Sequence, residues 1–235
     1  MSISQLSGTS ASIASASSQP ATQAAAAAAA ANPLTSGINK ATARLQTQLD
    51  TVTANLSTLG KFKSSVTEAQ TSAKSLAALT GSSTSDAVKK SLAAFISDFN
   101  NMVAATKTAA TDSSGVGTIS RGMTRAMNAD LSKVNALRQM GISKASDGSL
   151  KLDDAKFEAA FKSSSSTVLG TLSKLGQLVD KAATKELASG GRISSSMSAF
   201  GSQSSNLQLQ QKALLKAAQQ YASFSSSFTS SASIA

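Results

Sequence analysis

The chain contains no cysteine, no histidine and no tryptophan, and only two prolines. Without thiols there are no disulfides, no thiolate metal sites and no cysteine nucleophile. The missing histidines remove the commonest general base and metal ligand, and with them every Ser-His triad. Serine is abundant, yet Ser-x-x-Lys occurs nowhere, so the local signature of Ser/Lys hydrolases is missing too. Gly115-Val116-Gly117 lacks the rest of either phosphate-loop motif. The 12 carboxylates are scattered. Their one adjacent pair, Asp153-Asp154, reads as a helix cap rather than as paired acids. The expectation is therefore no enzyme, no cofactor and no metal site.

Aromatic residues make up 4% of the chain and charged residues 14%, against roughly 25% charged in ordinary globular domains. Much of the remainder is Ser, Thr, Ala and Gln. Such side chains suit thin apolar seams along elongated helices and make a compact, thick-cored globule doubtful. The net charge of +10 raises the question of nucleic acid. Recognition of that kind needs clustered cations, and here the nearest clusters are Lys89-Lys90, Arg121 with Arg125, and Lys61 with Lys63. No nucleic-acid binding is expected. The longest purely apolar run, Ala24 to Ala31, falls far short of the ~20 residues that span a bilayer, so no membrane insertion is expected. No Lys or Arg precedes Lys40, which argues against a cleavable Sec signal and leaves export to another route.

Residues 1–37 are rich in Ser and Ala and predict a disordered tail, with Pro20 and Pro33 as breakers. From Ile38 the pattern changes. Leu45, Leu49, Val52, Leu56, Leu59, Phe62, Val66, Ala69, Ala73 and Leu76 step by three or four, the mark of a heptad-type amphipathic helix over 38–80. After a loop at 81–85, Ser85 or Asp86 can cap a second helix carrying Val88, Leu92, Phe95, Ile96, Phe99 and Val103. Met123, Met127, Leu131, Val134 and Leu137 mark a third. Asn55-Leu56-Ser57 matches a glycosylation sequon, but its place on the long helix makes chance the better reading.

A hairpin follows at 141–152. Asp147-Gly148 predicts a two-residue type I′ turn, whose central residues both need positive φ. Leu150 and Leu152 then alternate with Lys151 as a half-buried strand does. Asp153 or Asp154 caps a helix bearing Phe157, Ala160 and Phe161, and the run at 162–166 reads as a loop. Val168, Leu172, Leu175, Leu178 and Val179 give another helix, to about Leu187, closing a helical domain at 81–188.

Past Ser189-Gly190-Gly191, the last segment (189–235) shows the sharpest periodicity. Ile193, Phe200, Leu207, Leu214, Tyr221 and Phe228 recur every seventh residue, with weak partners four residues later: Met197, Ser204, Gln211, Ala218 and Ser225. One knob per heptad makes a shallow seam, expected to pack on the 38–80 helix. The fold class expected is mainly α: an elongated antiparallel helical bundle or coiled coil with one small β-hairpin.

The stretch 137–161, "LRQMGISKASDGSLKLDDAKFEAAF", resembles the Leu-x-x-x-Gly-Ile…Asp-Gly-x-Leu-x-Leu-Asp segment of bacterial flagellar filament cap proteins, also called hook-associated cap proteins. Gly141, Ile142, Asp147, Gly148, Leu150, Leu152 and Asp153 carry that match. Residues 45–76 are similar to the family's first helix through Leu59, Gly60, Lys61, Phe62 and Ser64. Residues 93–107 are similar to its second through Phe95, Ile96, Phe99 and Asn100. The resemblance covers about 40–235. It departs from the family in one respect: cap proteins carry a large β-rich head between those two helices, and here only the loop near 81–85 stands there. A short form lacking the head is expected.

The resemblance implies an extracellular, non-enzymatic flagellar protein that caps the filament tip as a homo-oligomeric ring and assists flagellin incorporation. It would be exported through the flagellar type III route, with flagellin, hook-junction proteins and an export chaperone as partners. Leu45, Leu49, Val52, Leu56 and Leu59, with the seven-residue series from Ile193 to Phe228, would then form helix-seam or oligomer contacts. Two rival readings remain open: a flagellin-like or junction subunit that polymerises, and an amphipathic coat protein of lipid or polyester granules.

Overall fold

The computed structural model describes residues 33–110, 117–118, 121–122, 124–125 and 136–232; the side chains of 33–34, 109–110 and 228–232 lie outside that description. Among the described residues the architecture is mainly α with one two-stranded hairpin. In chain order the elements are α1 (Pro33–Ala77), α2 (Ser85–Ala110), α3 (Ala136–Gln139), β1 (Ile142–Lys144), β2 (Leu150–Leu152), α4 (Asp154–Ser163), α5 (Ser165–Leu187) and α6 (Arg192–Ala232). The chain forms two compact units: residues 1–44 with 213–235, and residues 45–212.

Several boundaries depart from expectation. Helix α1 starts at Pro33, inside the predicted tail, because proline's fixed φ and missing N–H suit a first helical position; residues 1–32 are outside the described region. Helix α2 is capped by Thr84, whose Oγ1 accepts from Ala87 N at 3.3 Å, rather than by Ser85 or Asp86. The predicted loop at 162–166 shrinks to Ser164 alone, which ends α4 and opens α5 with φ −158°. Of the third predicted helix, Met123, Met127, Leu131 and Val134 lie outside the described residues, and Leu137 is buried on the short α3.

The unit at 45–212 has a continuous apolar core, contrary to the expectation of thin seams alone. Aromatics are few, but four of the eight phenylalanines, Phe62, Phe95, Phe99 and Phe157, are fully buried there. Phe95 and Phe99 tilt against each other with centroids 5.9 Å apart. Concentration of the large side chains, not their number, closes this core.

Polar cross-links fix the direction of the long helices. Gln70 Nε2 donates to Asp180 Oδ1 at 2.8 Å and to Thr184 Oγ1 at 2.7 Å, and Ser173 Oγ donates to Ala77 O at 3.2 Å. Numbers fall along α5 as they rise along α1, so the two run antiparallel. Gly176 is buried at this crossing, and a Cβ there would overlap Ala73 O and stand 2.8 Å from Ala77 N. Farther along α1, Gln211 Nε2 donates to Gln46 Oε1 at 3.0 Å. Helix α6 therefore continues along α1 in the direction α5 began, and residues 188–191 are a joint rather than a reversal. Arg192 Nη2 reaches the buried Glu186 Oε1 across that joint at 3.0 Å, and a Cβ on Gly191 would overlap the Glu186 carbonyl.

In the unit formed by 1–44 and 213–235, no described side chain is fully buried. Ile38, Ala41, Leu214, Ala218 and Tyr221 are half-buried, and Leu215 and Phe224 are exposed.

Candidate functional site

Among the described residues, the hairpin and the face of α2 beneath it carry the densest set of specific polar contacts. Strands β1 and β2 pair antiparallel with Ile142 opposite Leu152, Ser143 opposite Lys151 and Lys144 opposite Leu150. Leu150 is buried, Leu152 half-buried and Lys151 exposed, the alternation the sequence predicts.

The turn differs from expectation. Gly148 N donates to Ala145 O at 3.0 Å and Ala145 N donates to Ser149 O at 2.8 Å. The central residues of the tight turn are thus Ser146 and Asp147, and Gly148, at φ +90°, follows in the left-handed position. This is the three-residue loop with a left-handed glycine, not the two-residue type I′ turn. Asp147 serves it by accepting from Ser149 N at 3.0 Å and Ser149 Oγ at 2.6 Å.

Gly141 is the second glycine with positive φ, at +80°. A Cβ there would lie 2.6 Å from Asp153 O, so only glycine lets the strand entry close against the start of α4. Asp153 N donates to Gly141 O at 2.9 Å, and the Asp153 side chain caps α4 by accepting from Lys156 N at 3.1 Å. Ile142 and Phe157 are buried beneath this corner.

Three side chains of α2 hold the corner. Asn100 Nδ2 donates to Leu150 O at 2.9 Å while Leu150 N donates to Asn100 Oδ1 at 2.7 Å, so the carboxamide pairs with the outer edge of β2 as another strand would. Lys107 Nζ meets Asp147 Oδ2 at 2.8 Å. Lys89 Nζ lies 3.2 Å from both Asp154 Oδ1 and Glu158 Oε1. At 100° per residue, Lys89, Asn100 and Lys107 fall within about 20° of one another and span about 27 Å of helix. A single stripe of α2 thus grips the loop, the strand and the following helix.

Charge reinforces the arrangement. The hydrogen bond from Lys107, followed by those from Ser149, holds the Asp147 carboxyl well below the usual carboxylate range. The backbone N–H of Lys156 lowers Asp153. Hydrogen bonds to Glu158 and then Asp154 raise Lys89. Asp147 and Asp153 are exposed and Lys89 is half-buried, so these shifts report local order more than stability.

Of the seam residues named from sequence, Val52, Leu59, Ile193 and Leu207 are buried, while Leu45, Leu49, Leu56, Phe200, Leu214 and Tyr221 are half-buried. Phe228 falls outside the described side chains. On α1 the buried stripe takes Asn55 in preference to Leu56, and it includes Ser65 and Ser72. Asn55 is only 4% exposed, which puts the sequon's acceptor inside the fold. Periodicity alone misses Asn100 as the hairpin's anchor, because its partners are backbone groups 50 residues away; only the resemblance touches it.

No group of three or more acidic side chains is placed to hold a metal ion, and no helix is long and apolar enough to cross a membrane, among the described residues. No protein-family model, curated protein or solved structure matches the chain.

Proposed function

We propose that the chain is a non-enzymatic assembly protein of the bacterial flagellum, a short filament-cap protein without a head, which assembles as a ring at the filament tip and assists flagellin incorporation. The observation that carries this reading is the docking of Asn100 onto Leu150. It joins two of the three segments that resemble the cap family, 93–107 and 137–161, into one unit. Gly141, Gly148 and Asp153, which carry the hairpin part of the resemblance, each have a defined stereochemical task in that unit. A corner of this kind is a rigid fitting, suited to holding geometry rather than turning over a substrate.

On this reading the half-buried residues of α1 and α6 make contacts with further copies and with flagellin or hook-junction proteins, and the chain reaches the cell exterior by the flagellar type III route. Deleting its gene in the source bacterium tests it: the outcome expected is loss of motility with unpolymerised flagellin released into the medium. Normal motility with full-length filaments would overturn it. Negative-stain microscopy of the purified protein adds a second arm. Rings or discs support a cap, indefinite filaments point to a flagellin-like subunit, and recovery on intracellular granules points to a coat protein.

A further inference from the structure

Asp147-Gly148 is the one Asp-Gly pair of the chain, and no Asn-Gly pair occurs in it. Such a pair carries its own reactivity. Glycine has no Cβ to crowd its nitrogen, so Gly148 N can attack the side-chain carbon Cγ of Asp147. The new N–Cγ bond closes a succinimide ring, one Cγ–O bond breaks, and that oxygen leaves as water with the nitrogen's proton. Water then opens the ring at either carbonyl. One opening restores aspartate, and the other leaves isoaspartate, whose backbone runs through the side-chain carboxyl and is longer by one carbon. Water is lost and regained, so the change needs no oxidant, reductant or enzyme.

The folded hairpin opposes each part of that step. Gly148 is buried, and its N–H is committed to Ala145 O at 3.0 Å, so the nucleophile is held away from attack. The Asp147 oxygens are engaged by Lys107 Nζ at 2.8 Å, by Ser149 N at 3.0 Å and by Ser149 Oγ at 2.6 Å. These bonds, that of Lys107 first, hold the carboxyl well below the usual carboxylate range, and an ionised carboxylate is a far poorer electrophile than the acid. The pairing of Lys144 with Leu150 and the bond from Ala145 N to Ser149 O fix the loop on both sides. Lys107 is the one member of this set outside the hairpin, 40 residues away on α2. It ties the chemistry of the loop to docking of the whole hairpin.

We propose that Asp147-Gly148 is a site of spontaneous isoaspartate formation, kept closed while the hairpin is seated on α2 and opened when the hairpin lifts. Isoaspartate at 147 lengthens the loop, so the two bonds of Ala145 no longer fit and Lys144 loses its register with Leu150. The rearranged strand cannot reseat on Asn100, and the modification becomes a lasting record of undocking. The proposal rests on the loop's chemistry and stands apart from the flagellar reading, which is tested in cells.

The test incubates the full chain at neutral pH, folded or unfolded in guanidinium chloride. Trypsin then releases residues 145–151, cutting after Lys144 and Lys151, and chromatography with electron-transfer mass spectrometry measures isoaspartate in that peptide. Local opening limits the folded reaction, so the folded chain is expected to isomerise at least about tenfold more slowly than the unfolded one. Lys107→Gln, which alters an exposed side chain, should keep its circular dichroism and isomerise faster than wild type when folded but equally fast when unfolded. Lys107→Arg, which keeps the cation, should restore slow isomerisation. If Lys107→Gln loses its circular dichroism, Ser149→Ala serves in its place with the same expectation. Equal rates in the folded and unfolded wild type, no isoaspartate in the unfolded chain, or a wild-type rate in the folded variant would overturn the proposal.

Discussion

Asn100 ties the β2 edge of the hairpin to α2, and replacing it by Ala or by Asp should be told apart by pH. Asn100→Ala removes both hydrogen bonds to Leu150, at 2.9 and 2.7 Å. A net hydrogen bond contributes about 0.5–1.5 kcal/mol, so the loss of two costs about 1–3 kcal/mol. The lower end applies where water reaches the freed groups; Leu150 is 3% exposed, which favours the upper end. Asn100→Asp keeps an acceptor for Leu150 N but sets a carboxylate oxygen against Leu150 O. At neutral pH it should therefore be at least as damaging as Ala. Once protonated, the Asp carboxyl can donate to Leu150 O and restore the second bond. Relative to wild type at the same pH, Asn100→Asp should regain stability as pH falls through its carboxyl pKa, and Asn100→Ala should not. Urea unfolding followed by circular dichroism measures this, and amide exchange at Leu150 reports the local bond. Wild-type stability for Asn100→Asp at neutral pH, or no recovery on acidification, would refute the argument.

Three further outcomes follow from the same geometry. Gly176→Ala drives a methyl into the Ala73 carbonyl at the α1–α5 crossing and should cost about 1–3 kcal/mol, read as a lower urea midpoint with unchanged slope. Gly141→Ala combines positive φ with overlap on Asp153 O; it should cost about 1–3 kcal/mol and loosen the start of α4, visible as faster amide exchange at Lys156. The lowered carboxyls of Asp147 and Asp153 mean that their contribution is present above the ordinary carboxylate value of 3.8 and is lost as pH falls below it through their folded-state values. Lys107→Gln should raise the Asp147 titration toward 3.8, followed by NMR of its side-chain carbon.

Local patterns made much of this molecule legible. The step of three or four from Leu45 to Leu76 and the seven-residue series from Ile193 mark α1 and α6, because a helix that buries one face must repeat near 3.6 residues. The alternation of Leu150, Lys151 and Leu152 marks β2, and Asp153 announces α4, because strand facing and helix capping are settled within a few residues. The hairpin's place was readable but its turn type was not: Asp-Gly serves both a two-residue loop and a three-residue loop, and Leu150 pairing with Lys144 decides between them.

By itself, then, the sequence determined helices α1, α2, α4, α5 and α6, the hairpin's position, the absence of thiol and imidazole chemistry, and the cationic, carboxylate-free ends, all of which follow from composition and short-range spacing. Only the tertiary structure decided that four scattered phenylalanines share one core, that α5 and α6 line α1 in succession, that Asn55 rather than Leu56 turns inward, and that Asn100 clasps Leu150. Those outcomes depend on contacts between residues tens of positions apart, where packing and unsatisfied backbone groups, not local periodicity, select the neighbour.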